Sequence, residues 1–305
     1  MPTLTRRDAT LLLAAAAASP RLRAAGLPWI APAGPALAVD LGGDELTAFA
    51  PSPDGRQLII DTESALIVVD TARGAALRPP LKSHRDPAAL AQPLRDGLRL
   101  VLATWDNGKP AGRLLLVDAG TKKLQPLAGL SREPRQLVAS ANGQRFAVAD
   151  GEQKLQVFDA AGRSLLGPIK PVVGQVVAGT RLDRITAAAL SPDGTRLAVA
   201  GEDVQTRIFD VASGKPMLTL DKGPFEGRSW VRGPSQQMVF TPDGARLIAF
   251  EQGGNLSLYD AASGRPLADP VQLRSRVAAM AMGADGSLWT ATADGQLQRW
   301  LPAAR

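Results

Sequence analysis

The side chains best suited to recognising or transforming a ligand are arginines and aromatics in the segments between short apolar runs. One stretch concentrates them: Lys222-Gly223-Pro224-Phe225-Glu226-Gly227-Arg228-Ser229-Trp230-Val231-Arg232. Phe, Trp and Arg together are the usual hot-spot types, and Arg228 or Arg232 could stack on Trp230 as a cation–π pair. The competing reading is that Phe225 and Trp230 tuck over a neighbouring sheet edge. Further arginines punctuate the other connections: Arg85, Arg132, Arg135, Arg181, Arg184, Arg274 and Arg276. Several of these, Arg135, Arg184 and Arg276 among them, would form a positive mouth for a carboxylate, phosphate or acidic peptide if they converged. Alternatively each pairs with a nearby acid, Asp86, Glu133, Asp183 or Glu226, and exposed pairs of that kind contribute little. Trp105, in Thr104-Trp105-Asp106-Asn107-Gly108-Lys109, is either a further binding residue or part of a plain extended hairpin.

Other chemistry is excluded by what the chain lacks. With no Cys there are no disulfides, thiolate metal sites or Cys nucleophiles. The single histidine, His84, sits in Lys82-Ser83-His84-Arg85-Asp86 and reads as exposed. One His removes the commonest zinc and haem ligand sets and most Ser-His-Asp arrangements. Ser52, Ser191 and Thr241 fall in turns without a base nearby, and no phosphate-binding or dinucleotide fingerprint is present. The sequence therefore names no catalytic residue, no cofactor and no metal ligand. The formal charge of +6 shrinks once residues 1–26 are set aside, leaving 31 basic against 28 acidic residues. That is a poor match to the clustered basic face of a nucleic-acid binder, so no nucleic-acid partner is expected.

The elements that must position these residues are short strands. In Arg184–Leu220 four apolar runs alternate with turn chemistry: Ser191-Pro192-Asp193-Gly194, Glu202-Asp203, and Ala212-Ser213-Gly214-Lys215. Runs of this length bounded by Pro, Gly and Asp predict strands, here one antiparallel four-stranded sheet. The unit recurs. Its first turn returns as Ser52-Pro53-Asp54-Gly55, Arg95-Asp96-Gly97, Ala141-Asn142-Gly143, Thr241-Pro242-Asp243-Gly244 and Ala284-Asp285-Gly286. Its third strand ends at Val69-Asp70, Val117-Asp118, Phe158-Asp159, Phe209-Asp210, Tyr259-Asp260 and Trp300-Leu301, at intervals of 41–51 residues. Pro presets a turn and Gly accepts positive φ, which explains these Asp-containing motifs without a catalytic role. Self-similarity at this period is the mark of an all-β propeller.

The strand-ending aromatic-Asp pair, the SPDG turn and the Ser-Gly-Lys turn resemble the WD-repeat superfamily over residues 36–301. The resemblance implies a propeller and leaves function open. No blade carries the Gly-His pair of typical members, and the Trp survives only as Trp300 without its Asp, so their buried Asp-His-Ser-Trp network cannot form. The chain looks like a divergent propeller of the quinoprotein-like or YVTN-repeat kind.

Six four-stranded blades are expected at about 44–81, 86–127, 133–169, 183–220, 234–271 and 275–301. The last lacks a fourth strand, and the segment 27–43 precedes the first; Ala36–Leu41 is expected to complete the last blade and close the ring, removing an exposed sheet edge. Seven blades is the alternative, because Lys170–Leu182 and Asp221–Pro234 add length. Residues 302–305 form a tail. At the other end, 1–26 have signal-peptide anatomy: basic residues, the apolar run Ala9–Ala18, then small residues. Thr5-Arg6-Arg7-Asp8 resembles the twin-arginine motif in part. These features imply a periplasmic or secreted bacterial protein without a membrane span in its mature form. The leading expectation is a monomeric scaffold or accessory subunit that binds a protein or peptide of the cell envelope on the face carrying the unequal connections. The alternatives are a lactonase-like or other hydrolase, and a sensor of small anions.

Overall fold

A computed structural model describes residues 30–302, except 53–54, 63, 78–80, 83–88, 94–98, 106–111, 119–120, 122, 178, 223–232 and 274. The strands fall into six antiparallel blades, named here from the chain's first to its last. Blade 1 is Leu46–Pro51, Gln57–Thr62, Ala65–Asp70 and Leu81–Lys82; blade 2 is Ala89–Pro93, Arg99–Trp105, Gly112–Asp118 and Lys123–Leu130. Blade 3 is Pro134–Ala139, Arg145–Asp150, Leu155–Asp159 and Ser164–Ile169; blade 4 is Ile185–Leu190, Arg196–Gly201, Thr206–Asp210 and Pro216–Thr219. Blade 5 is Ser235–Phe240, Arg246–Glu251, Asn255–Asp260 and Val271–Gln272; blade 6 begins with Ala279–Met282, Leu288–Ala291 and Gln296–Pro302. Each first strand touches the first strand of the next blade, and that of blade 6 touches that of blade 1, so the ring is complete. Among the described residues no helix is long and apolar enough to cross a membrane.

The amino-terminal segment closes the ring as the outer strand of blade 6, in two pieces. Leu37 and Ala38 pair with Leu297 and Gln296, within the stretch expected from sequence. The pairing begins earlier than expected, however: Ile30, Ala31 and Pro32 pair with Pro302, Leu301 and Trp300. Prolines hide this run from any strand pattern, yet Pro is tolerated on an edge strand whose free side faces solvent. Val39 and Leu41 follow outside any strand and are buried with Phe49 of blade 1 and Trp289 of blade 6. Of the two inserts that suggested a seventh blade, Lys170–Leu182 holds a two-stranded hairpin, Gln175–Val177 with Thr180–Leu182, and Asp221–Pro234 lies mostly outside the described residues.

The core lies between blades. In the second strand of blade 4, Leu197 and Val199 face blade 3 while Ala198 and Ala200 face blade 5. Side chains alternate across a strand, so a strand buried on both faces reads as a continuous apolar run, which is why Arg196–Gly201 is RLAVAG. Large and small residues on opposite sides set the wedge of the ring.

An antiparallel meander places the first and third turns of every blade on one face, here called the turn face. The second turns and the blade connections share the other, the loop-rich face. On the turn face, Asp193 accepts the Ser191 hydroxyl at 2.6 Å and the Thr195 amide at 3.0 Å, while Gly194 takes φ 72°. Asp210 accepts the amide and hydroxyl of Ser213 at 2.8 and 2.6 Å. The two turns are tied together, since the Val211 amide donates to the Thr195 carbonyl at 2.9 Å. The arginine opening the second strand then reaches the next blade. Arg145 donates to the Gly194 carbonyl at 2.9 Å, and Arg196 donates to the Gly244 carbonyl while its guanidinium lies over Phe240.

Candidate functional site

The first strands enter from the loop-rich face, and their free edges surround the central channel. In blades 1, 3, 4 and 5 an extra residue interrupts the pairing of this strand near its start: Thr47, Arg135, Thr186 and Gln236. A bulge re-aims side chains locally, and all four line the channel. Several side chains here stitch one blade to the next. Gln136 Nε2 donates to the Ile185 carbonyl at 3.3 Å, the Thr186 hydroxyl to the Ser235 carbonyl at 2.7 Å, and Gln237 Nε2 to the Ala278 carbonyl at 2.7 Å. The first two of these bonds match, at the opposite end of the same interfaces, the Arg145 and Arg196 bonds of the turn face. Gln136 Oε1 remains buried without a donor.

The channel, ≈ 390 Å³, is lined by first strands of all six blades, with much alanine in its wall. Thr186, Gln236 and Gln237 also line a second, wider depression of ≈ 950 Å³ on the loop-rich face. Arg184, Glu202, Arg276, Glu45 and Asp294 surround it.

The described arginines of this face meet acids close in sequence and acids that the fold brings beside them. Arg135 pairs with Glu133, one of the acids expected from sequence proximity. Arg132 instead meets Glu152 at 2.6 Å, and the Arg184 side chain reaches Glu202 at 3.8 Å. Both acids lie in second turns, which the meander brings back beside the start of a first strand. The Lys154 ammonium, bonded to Glu152 at 2.7 Å, lowers that carboxyl below its ordinary pKa, with Arg132 assisting. Arg276 is exposed and has no hydrogen-bond or ion-pair partner among the described residues. Among the described residues the mouth is of mixed charge: Arg135 lines the channel, and Arg184 and Arg276 line the depression among acids.

Phe225, Arg228, Trp230 and Arg232 lie outside the described residues, as do Arg6 and Arg7, His84 and Arg85. Trp105 is the last residue of its strand and pairs with Gly112, so it stands at the base of the connection 106–111. The foot of the Phe225–Arg232 stretch is firmly held. Lys222 donates to Ser235 Oγ at 3.2 Å and lies 3.8 Å from Glu251 Oε1, which accepts the Tyr259 hydroxyl at 3.1 Å. A lysine beside a serine has the residue types of a base and its nucleophile. Here Ser235 is wholly buried and Lys222 stands against the Glu251 carboxylate, so the geometry is that of a staple between blades 4 and 5. In blade 6, Trp300 Nε1 donates to Thr290 Oγ1 at 2.9 Å.

The hairpin insert before blade 4 supplies residues that composition did not single out. Val172 is buried against Gly201, where a Cβ would stand 2.7 Å from the valine's methyls. Beyond this anchor, Val173 and Val176 are 68% and 73% exposed, the highest among large apolar side chains described. The others, Leu77, Leu124, Leu165, Met217, Leu267 and Leu301, belong to the outer rim of successive blades. Only a lack of counterparts in the other repeats marked the insert in sequence. No group of three or more His, Cys, Asp or Glu placed to hold a metal occurs among the described residues. No protein-family model matches this chain, and no curated protein matches it.

Proposed function

We propose that this propeller is a protein- or peptide-binding scaffold of the cell envelope, acting through its loop-rich face. The observation that carries the reading is the unrepeated hairpin. An isolated two-stranded hairpin is marginal in water, and this one holds Val173 and Val176 out to solvent. Exposed apolar side chains held together in a blade connection suit association with another protein. The wide depression beside Arg184 gives that partner a polar surface to complement. Delivery to the envelope rests on the signal-like segment that carries Arg6 and Arg7.

Cross-linking in an envelope extract tests the site. Lys154 and Lys170 stand on the loop-rich face, while Lys215 stands on the turn face. The expected result is intermolecular cross-links from Lys154 and Lys170, absent in a Val173→Ser, Val176→Ser protein. Cross-links only from Lys215 would place the partner on the wrong face. Fractionation of cells expressing Arg6→Lys, Arg7→Lys protein tests delivery, with retention in the cytoplasm expected.

A further inference from the structure

Two polar side chains in the depression are left with unused hydrogen-bonding capacity. The bulge in the first strand of blade 5 turns Gln236 toward both cavities, whereas its neighbour Gln237 is consumed by the stitch to Ala278. Arg276, in the connection entering blade 6, borders the same depression. Among the described residues neither Arg276 nor the Gln236 side chain has a hydrogen-bond or ion-pair partner. Three other mouth arginines are neutralised: Arg132 by Glu152, Arg135 by Glu133 and Arg184 by Glu202.

We propose that Arg276 and Gln236 form a subsite for a carboxylate of the bound polypeptide. A guanidinium matches a carboxylate with two parallel N–H donors, and the Gln236 amide can add a third. The flanking acids Glu45 and Asp294 disfavour diffuse anion attraction, so recognition rests on this local geometry rather than on a positive field. The carboxylate comes either from an Asp or Glu side chain or from a chain terminus. The inference rests on the loop-rich face being the binding face, and it names what that face reads.

The test uses arrays of short peptides probed with the full chain. Matched peptides carry Glu or Gln internally, and a free carboxyl or a carboxamide at the end. Retention should favour carboxylate members, and the source is given by which pair differs. Arg276→Gln should weaken that retention at least about tenfold, the scale of one charge-assisted bond. Arg184→Gln, whose guanidinium is already paired, should change it less than about threefold. Gln236→Ala should lie between them. Equal retention of carboxylate and neutral peptides, no retention of either, or an Arg276→Gln protein indistinguishable from the parent would overturn the subsite. If that happens while Lys154 and Lys170 still cross-link to a partner, the loop-rich face remains the binding face. Loss of those cross-links in the parent protein sinks the face instead.

Discussion

The turn face and the loop-rich face are two ends of the same strands, yet they are built by opposite rules. On the turn face the described blades repeat one solution. Short Asp- or Asn-centred turns satisfy their own amides, left-handed positions are taken by glycine as at Gly194 and Gly214, and in blades 3 and 4 an arginine ties the blade to the next turn. On the loop-rich face the connections differ in length and sequence. Two non-glycine residues there, Gln153 and Val204, adopt left-handed φ of 60° and 63° in second turns. For a β-branched residue this conformation is costly. Gln153 accepts the Ile185 amide across the blade interface at 2.8 Å, so the strained position also carries a stitch. The contrast teaches that repetition marks what the ring needs to fold, while departure from it marks where a specific surface is built.

Removing the closure should have the largest effect. A truncated chain beginning at Thr47 loses both pieces of the outer strand of blade 6, the Val39 and Leu41 packing, and the Asp44 bonds to Thr62 and Ser64. It is expected to show no cooperative unfolding by circular dichroism, whereas a chain beginning at Leu27 unfolds in one transition. Equal transitions for the two would refute closure by this segment.

Breaking one turn-face stitch should cost less. Arg196→Ala removes bonds to the Gly244 and Ala261 carbonyls and leaves these acceptors short of a donor. A loss of about 1–3 kcal/mol in urea unfolding follows from a charge-assisted bond with an unsatisfied partner. A change within error would mean that the turns hold the ring without it.

Acid should act more gently and on the same face. The Ser213 hydroxyl and amide lower Asp210, the Thr241 hydroxyl lowers Asp243, and the Ser263 hydroxyl and amide lower Asp260. At Asp193 burial opposes the shift, but the Ser191 and Thr195 donors prevail and the net direction is still downward. Each group is more acidic folded than unfolded, so its contribution is complete above the ordinary Asp value of about 4 and is lost as pH falls through the folded values. Thermal stability should therefore decline below about pH 4, and Asp210→Asn, Asp260→Asn protein should show a shallower decline. An unchanged acid profile would contradict a stabilising role for these turns.

The blade count and the turns were legible because their requirements are local: a positive φ, a preset proline, an acceptor two residues before an amide. The strand Ile30–Pro32 was not, because its pairing depends on residues at the far end of the chain and its prolines mask the pattern. The bulges were equally hidden, since an extra residue exists only relative to the partner strand. Pairing arginines with sequence neighbours succeeded for Arg135 and Glu133, two residues apart, and missed Arg184 with Glu202, which a hairpin brings together. Gln236 and Val176 carry no sequence signal of their own; only their positions give them roles.

The division between the two faces is tested most directly by measuring stability and partner cross-linking in the same two proteins. Val173→Ser, Val176→Ser protein should unfold within about 0.5 kcal/mol of the parent, as exposed substitutions do, and lose the Lys154 and Lys170 cross-links. Arg196→Ala protein should be less stable yet, while folded, keep them. The opposite pattern, with cross-links surviving the valine changes and lost in folded Arg196→Ala protein, would contradict the account.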